Sequence, residues 1–282
     1  MAQLKMEGRS GCFLTIHEDG DNQIVRKKSA SIDYNERLHN QCQKQNSFLT
    51  SPRLQKYITT TKILSDGYTE DRLYYFDMEY AYGDKFTDFF LKSSAHDVKN
   101  ILKIYLDYFD NIFKYSEKSH IDSSFLLSKV DSVENKIKSK DEIKKILEFL
   151  TEKIPHSPIP IGYCHGDFTL SNMIIDSSQK IYLIDFLDSF INSPIIDLIK
   201  LRQDTKFRWS LEIDRNFSGH KYKVIQILNY IDSEIEIFLK KMNKDVIDWY
   251  NYLEIFNLFR ILPYLTRRDE EIFLLEKINN SL

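Results

Sequence analysis

Hydrophobic periodicity changes near residue 85, and this change limits the possible folds of the chain more than any other feature. Before it, short β-prone runs such as Cys12 to Ile16 and Tyr57 to Leu64 are bounded by turn residues, with one helical segment at about 34–48. After it, hydrophobic residues recur mostly at three- and four-residue steps, which is typical of packed helices. The pattern predicts an α+β fold with an antiparallel-sheet N-terminal lobe, residues 1–82, and a larger, mostly helical C-terminal lobe, residues 83–282.

One β-hairpin is predicted inside the helical lobe. Two β-branched runs, Met173–Ile175 and Ile181–Ile184, are joined by a polar five-residue turn. The two lobes meet at about residues 81–84. A boundary of this kind leaves a cleft, and clefts between lobes are common ligand sites.

Composition excludes several classes of function. The 282 residues are 42% hydrophobic and 29% charged, which is ordinary for a globular protein and argues against disorder. Because 39 basic and 42 acidic side chains nearly balance, we expect neither nucleic acid nor an anionic membrane as the main partner. Three widely spaced cysteines and the lack of a long apolar run predict a cytoplasmic protein, whereas the oligomeric state stays open.

The polar residues with the clearest chemistry surround the predicted hairpin. Asp167 and Asn172 are five residues apart in the loop before it, and Asp185 follows its second strand. The hairpin brings Asn172 and Asp185 close together, and their amide and carboxylate oxygens are hard ligands suited to Mg²⁺. A further carboxylate nearby, Asp167, could orient a hydroxyl group and accept its proton. These are the components of a phosphoryl-transfer site.

The spacing His165-x-Asp167-(x)4-Asn172, with Asp185 thirteen residues later, resembles the catalytic loop and metal-binding segment of kinase-fold phosphotransferases. It is most similar to the aminoglycoside phosphotransferase and choline kinase-like family. Protein kinases usually carry His-Arg-Asp and Asp-Phe-Gly, whereas this chain has His-Gly-Asp and Asp-Phe-Leu-Asp. In place of a long activation loop, the segment 193–198 follows within a dozen residues, as in the small-molecule branch.

The resemblance implies a protein-kinase-like two-lobe fold with roles for particular residues. Asp167 would be the catalytic base, and Asn172 and Asp185 the Mg²⁺ ligands. His165 would brace the loop, and Asp197 would stabilise the fold. A metal-hydrolase site at His165 and Asp167 is disfavoured, because no second histidine lies nearby at ligand spacing.

The N-terminal lobe should then bind the nucleotide. Residues 8–11 precede a strand and resemble a short glycine-rich loop, whose backbone N–H groups can approach phosphates. Residues 75–83 resemble the last strand of this lobe running into the hinge, although a methionine there is equally natural as a core residue. The candidate nucleotide contacts in these two segments are Gly8, Ser10, Gly11, Met78, Glu79 and Ala81.

A basic strand and the helix after it supply the remaining nucleotide candidates. Strand alternation puts Val25 and Lys27 on one face, and Arg26 and Lys28 on the other. The kinase fold implies Val25 beside the adenine and Lys27 at the phosphates, although a shift by one residue would select Arg26 or Lys28. Glu36 is the acidic residue predicted to pair with the lysine.

The sequence does not single out an acceptor. The region after residue 205 is rich in aromatic residues, most of which we expect in the core. Acidic residues after Ser210 do not point to a polycationic acceptor. Five arginines could bind an anionic acceptor such as a phosphosugar or could be surface charges: Arg202, Arg208, Arg260, Arg267 and Arg268.

The predicted function is ATP- or GTP-dependent transfer of the γ-phosphoryl group to a hydroxyl of a small molecule such as a sugar or an amino alcohol. Two alternatives stay open. The chain could be a catalytically silent, nucleotide-binding kinase-fold protein with a regulatory or scaffold role, since its glycine loop is short. It could also be a protein kinase, although it lacks a long activation segment.

Overall fold

The computed structural model describes residues 5–7, 11–20, 22–137, 141–213 and 221–282. Three residues of the predicted glycine-rich loop, 8–10, lie outside the described residues, and they include the candidates Gly8 and Ser10. The strands are β1 (Lys5–Glu7), β2 (Cys12–Asp19), β3 (Asn22–Ser29), β4 (Thr59–Thr60), β5 (Ile63–Tyr68), β6 (Tyr74–Glu79), β7 (Asp84–Lys85), β8 (Glu117–Ser119), β9 (Ile159–Ile161), β10 (Met173–Ile175) and β11 (Ile181–Leu183). The helices are α1 (Asn35–Leu49), α2 (Pro52–Gln55), α3 (Phe86–Lys92), α4 (Ala95–Lys114), α5 (Ser123–Glu134), α6 (Lys144–Glu152), α7 (Pro194–Thr205), α8 (Trp209–Ile213), α9 (Lys221–Leu239), α10 (Lys244–Phe259) and α11 (Arg268–Asn279).

A five-stranded antiparallel sheet of order β1-β2-β3-β6-β5 forms the N-terminal lobe. Helix α1 packs on this sheet because one of its faces is apolar, and Leu38 and Cys42 contact Tyr74, Phe76 and Met78 of β6 in a small core. The predicted sheet-rich lobe with a single main helix is therefore confirmed.

A second sheet, of order β4-β11-β10-β7, joins the two lobes. The predicted hairpin is present as β10 and β11, and it has a strand from the earlier part of the chain on each side. The prediction of one continuous strand over 57–64 is wrong. Instead β4 pairs in parallel with β11 of the C-terminal lobe, and β5 begins only at Ile63 in the N-terminal sheet. This division of one segment ties the hairpin directly to the N-terminal lobe.

The core of the C-terminal lobe surrounds helix α10. This helix is buried along most of its length, including Trp249, Tyr252 and Phe256, because helices pack on it from several sides. Most of the described aromatic residues after residue 205 are in the core as predicted, whereas Tyr222 and Tyr264 are 83% and 76% exposed. Among the described residues, no helix is both long and apolar enough to cross a membrane.

Candidate active site

The loop before β10 is held by a buried carboxylate. Asp197, in the first turn of α7, accepts hydrogen bonds from the backbone N–H groups of His165 (2.6 Å) and Gly166 (2.8 Å). Burial raises the pKa of Asp197 to about 6, although both N–H groups oppose this rise. The loop is thereby fixed to the start of α7, and these contacts suit the stabilising role expected of Asp197.

His165 links the loop to the second strand of the hairpin. Its Nδ1 accepts the Asp167 backbone N–H at 3.2 Å, so its Nε2 carries the proton and donates to the Ile184 carbonyl oxygen at 3.0 Å. Burial lowers the pKa of His165 to about 4, so the imidazole is neutral at pH 7. A neutral histidine with both nitrogens occupied suits a structural brace.

Asp167 lies at the end of this braced loop with both carboxylate oxygens in contact. Asn172 Nδ2 donates to Oδ2 at 2.8 Å and to the Asp167 backbone carbonyl oxygen at 3.0 Å. Lys200, from α7, places its Nζ 3.2 Å from Oδ1. The carboxylate is therefore oriented from two sides, while its side chain stays 23% exposed.

Asn172 and Asp185 lie at the same end of the hairpin. Ile184 donates its backbone N–H to the Asn172 carbonyl oxygen at 3.0 Å, which fixes the two segments together. Asp185 has a φ of +60°, an uncommon conformation for a residue with a side chain. Because Asn172 Nδ2 is used by Asp167, its amide oxygen is the atom left for a ligand.

These two residues fit the Mg²⁺ site implied by the resemblance. An amide oxygen and a carboxylate are hard donors of the kind that Mg²⁺ takes, and Mg²⁺ usually keeps several water or phosphate ligands. Within the ranges described, no group of three or more His, Cys, Asp or Glu side chains forms a metal cluster. The donor set is thus a small one, made by one carboxylate and one amide.

A cavity of about 300 Å³ opens between the lobes, and we call it the interlobe cavity. Val25 and Met78 are paired across β3 and β6 and form part of its wall. The hairpin closes the other side. Seven of the predicted site residues line it together: Val25, Lys27, Met78, Glu79, Ala81, Asn172 and Asp185.

Lys27 is the member of the basic strand that faces the interlobe cavity. It is only 3% exposed, and its Nζ donates to Asp185 and, at 2.8 Å, to Gln41 Oε1. Arg26 points away and pairs with Asp77 at 2.7 Å. Strand alternation thus places one basic side chain in the cavity, and the register selects Lys27.

The predicted pairing of Lys27 with Glu36 is corrected by the structure. Glu36 lies exposed in the first turn of α1, away from the buried face of that helix. Gln41 lies on the buried face, which recurs at three- and four-residue steps, and it occupies the position expected for the glutamate. The helix partner of the lysine is therefore neutral, and Asp185 is its anionic partner.

Gly11 immediately precedes β2 and has a φ of +61°, and an added Cβ would lie 2.9 Å from the ring of Tyr34. Gly11 thus packs against the segment before α1. It is not among the residues that line the interlobe cavity. Contact of residues 8–11 with the nucleotide phosphates therefore stays a prediction from the sequence.

Lys44, Lys200 and Asp204 are site residues that the sequence did not single out. Lys44 of α1 donates to the Leu187 carbonyl oxygen at 2.8 Å, just beyond Asp185. Asp204 is buried and accepts from the Leu170 backbone N–H at 2.7 Å. The sequence did contain a signal for Lys200 and Asp204, because together with Asp197 they recur at helical spacing and form one polar face of α7.

A second cavity, of about 680 Å³, lies beside Asp167, and we call it the C-lobe cavity. It lies between the start of α3, the loop before β10, α7, α8 and the segment that follows α10. None of the five arginines proposed for an acceptor lines this cavity in the described structure. For example, Arg202 is buried against Asp232, with two hydrogen bonds of 2.9 Å. The described residues that line the C-lobe cavity are Lys85, Phe86, Thr87, Asp167, Thr169, Ser171, Lys200, Gln203, Trp209, Ser210, Ile261 and Tyr264.

A sequence model of the phosphotransferase enzyme family, APH, matches residues 122–220, which include the loop, the hairpin and α7. No curated protein sequence matches the chain significantly. Solved structures match nearly the full length of this chain at low sequence identity, and similarity of this kind shows a shared fold.

One similar structure is an APH(2")-IIia complex with GDP and kanamycin (TM-score 0.66, 11% identity, covering 99% of this chain and 92% of that one). Another is a thermostable mutant of aminoglycoside phosphotransferase APH(4)-Ia with AMP-PNP and hygromycin B (TM-score 0.63, 13% identity, 99% and 92%). A protein described as a fructosamine-3-kinase from Haemophilus somnus 129PT is also similar (TM-score 0.59, 11% identity, 100% and 91%). Residues 122–220 thus carry the sequence signature of the phosphotransferase enzyme family, and the chain as a whole has the protein-kinase-like fold of the aminoglycoside phosphotransferases.

Proposed function

We propose that this protein transfers the γ-phosphoryl group of ATP or GTP to a hydroxyl group of a small molecule. The observation that carries the proposal is the position of Asp167 between two cavities. Asp167 lines the C-lobe cavity, and 2.8 Å away it accepts a hydrogen bond from Asn172, which lines the interlobe cavity. A donor in one cavity and an acceptor in the other would meet at this carboxylate.

The interlobe cavity suits a nucleotide. Val25 and Met78 offer an apolar surface for a purine ring, and Glu79 to Ala81 supply backbone groups along its edge. Lys27 would bind the phosphates, because it is a buried cation inside the cavity. Nucleotides or their analogues occupy the two similar aminoglycoside phosphotransferases. Those complexes contain AMP-PNP in one case and GDP in the other, so they leave the choice of nucleotide open.

Transfer would follow from the position of Asp167 beside the C-lobe cavity. The acceptor hydroxyl oxygen attacks the γ-phosphorus, the bond to the bridging oxygen of the leaving nucleoside diphosphate breaks, and Asp167 takes the hydroxyl proton. Asn172 and Lys200 hold the carboxylate in place for this step. The Asn172 amide oxygen and the Asp185 carboxylate would hold Mg²⁺, which when bound neutralises charge on the phosphates.

The test is the variant Asp167→Asn. We expect it to abolish phosphoryl transfer and to leave Mg-nucleotide binding within about twofold, because Asn keeps the shape but cannot accept the proton. Asp188→Asn changes an exposed carboxylate in the segment after β11 and should leave both properties unchanged. A panel of metabolites with Mg-ATP and Mg-GTP supplies the acceptors. Equal turnover by Asp167→Asn and the wild type would contradict the role of Asp167.

One observation favours the silent alternative, namely the neutral Gln41 at the position expected for a glutamate. A silent protein would bind nucleotide without dependence on Mg²⁺ and would transfer phosphate to no member of the panel. Transfer to generic protein substrates in the same assay would instead support a protein kinase. Mg²⁺-dependent turnover of a small molecule excludes the silent reading.

A further inference from the structure

The charged side chains around the C-lobe cavity are unequal in sign. Of the described residues that line it, Asp167 is the one carboxylate, whereas Lys85 and Lys200 are both cationic. Among these lining side chains one positive charge is therefore in excess when Asp167 is ionised, whereas the carboxylate of Asp204 is buried behind the wall and accepts from the Leu170 and Ser210 N–H groups. A cavity with this balance would repel a polycation and attract an anion.

Lys200 is fixed in the wall of this cavity. Its side chain is 17% exposed, and its Nζ lies 3.2 Å from Asp167 Oδ1 and 3.3 Å from Gln203 Oε1. Gln203 is itself held by Asn257 Nδ2 at 3.0 Å. An ammonium group in this partly buried place interacts with a ligand more strongly than a surface lysine does, because water screens it less.

Lys85 supplies a second positive charge from the start of α3. It is exposed and lines the cavity, and it forms no ion pair with a described residue. The neighbouring carboxylate of Asp84 pairs with Lys92 at 2.8 Å, so it does not neutralise Lys85. The ammonium group of Lys85 is therefore available to a ligand.

Arg260 adds to the positive field near Asp167. Its guanidinium lies 4.5 Å above the ring of Phe190, at the end of α10. Its charge interacts with that of Asp167, and the next residue, Ile261, lines the cavity. Arg260 is thus a further cation near Asp167, in addition to Lys85 and Lys200.

The rest of the cavity wall suits a polyhydroxylated molecule. Hydroxyl groups of Thr87, Thr169 and Ser210 can bind sugar-like hydroxyls, and the rings of Trp209 and Tyr264 offer flat apolar surfaces. The volume of about 680 Å³ is in the range of small-molecule sites. A ligand that carried only neutral hydrogen-bonding groups would not need the two lysines.

We infer that the acceptor carries an anionic group, a carboxylate or a phosphate, in addition to the hydroxyl that receives the phosphoryl group, and that Lys85 and Lys200 bind this anion. This inference rests on the proposed function, since it assigns the C-lobe cavity to the acceptor. It separates this protein from the similar structures that contain kanamycin or hygromycin B. The same charges make an aminoglycoside a poor ligand here.

The experiment compares ligands that share one scaffold and differ in charge. Binding of glucose, glucosamine, glucuronate and glucose 6-phosphate, with kanamycin as the polycation, is measured by calorimetry on the full chain loaded with Mg-AMP-PNP. We expect glucuronate or glucose 6-phosphate to bind about tenfold more tightly than glucose, as one charge-assisted contact would give. The two anions separate a carboxylate ligand from a phosphate ligand.

Lys85→Gln should lower the affinity for the anionic ligands about tenfold and leave the affinity for glucose unchanged. Lys200→Gln should also lower the anion affinity, but because Lys200 contacts Asp167, only Lys85→Gln is used to compare anion binding with glucose binding. Lys99→Gln removes an equal charge from an exposed position on α4, outside both cavities, and should have no effect. This control separates a local contact from a change in net charge.

The inference is overturned if neither anion binds, if glucosamine or kanamycin binds more tightly than both anions, or if Lys85→Gln weakens glucose and anion binding equally. Formation of ADP from Mg-ATP is followed separately with the same ligands. Anion binding without ADP formation supports the charge selectivity and counts against phosphoryl transfer. ADP formation with kanamycin as the preferred acceptor supports transfer and refutes the anionic acceptor.

Discussion

Replacing Gly166 with alanine should destabilise the loop that carries Asp167. Gly166 has a φ of +92°, and an added Cβ would lie 2.5 Å from the Leu187 carbonyl oxygen and 2.4 Å from Ser189 Oγ. A positive φ costs an L-residue about 1–2 kcal/mol, and forcing a methyl group into packed structure costs roughly 1–3 kcal/mol more. We therefore expect the free energy of unfolding to fall by about 2–5 kcal/mol.

Leu187 has little freedom to relieve this overlap. Its N–H donates to the His165 carbonyl oxygen at 3.1 Å, and its own carbonyl oxygen accepts from Lys44 at 2.8 Å. Any shift that accommodates the methyl group must lengthen one of these bonds or displace Asp167, the next residue. A loss of turnover should therefore accompany the loss of stability, with nucleotide affinity less affected.

Gly20→Ala is the matched control. Gly20 also has a positive φ, +61°, but an added Cβ there meets nothing within 4 Å. It should lose only the conformational part, about 1–2 kcal/mol. Urea unfolding followed by tryptophan fluorescence gives both values. If Gly166→Ala loses no more than Gly20→Ala, the close contact with Leu187 does not constrain the loop as we describe.

Three further predictions concern the interlobe cavity and a buried carboxylate. Lys27→Met should raise the Kd for Mg-ATP at least about tenfold, since a charge-assisted contact is lost, whereas Lys28→Met should not; equal effects on titration would contradict the assigned register. Asp185→Asn should make nucleotide binding insensitive to EDTA, and a retained Mg²⁺ dependence would argue against this ligand. Burial raises the pKa of Asp204 to about 6, so its contribution to stability is greatest at low pH and declines as pH rises from about 4 to about 6. In Asp204→Asn this decline is absent, and the free energy of unfolding should rise more steeply with pH than in the wild type, by up to about 1.4 kcal/mol per pH unit; parallel profiles from urea unfolding would refute the assignment.

Local patterns predicted the parts of the site that lie close together in the chain. Asp167, Asn172 and Asp185 fall within nineteen residues, and a hairpin between them is specified by β-branched runs and a polar turn. Period-two alternation in β3 likewise placed Val25 and Lys27 on one face before any tertiary contact was considered. The α+β division into lobes followed from the change in periodicity near residue 85.

Residues brought in by packing between elements could not be predicted in this way. Whether Glu36 or Gln41 meets Lys27 depends on the rotation of α1 on the sheet, and the apolar face of α1 turned Gln41 inward. Splitting of 57–64 between two sheets depends on a parallel pairing of β4 with β11, whose partners are 123 residues apart in the sequence. Propensity in a short window carries no information about such a partner.

The sequence by itself therefore determined the fold class, the hairpin and the spacing of the predicted base and metal ligands, because these depend on interactions between near neighbours in the chain. Only the tertiary structure decided that Gln41 faces Lys27, that Lys200 contacts Asp167, and that a cavity with excess positive charge lies beside them. Those features depend on how α1 and α7 dock. Docking is set by the burial of whole apolar faces and by the buried contacts of Asp197, and it then fixes where each polar side chain on those helices must lie.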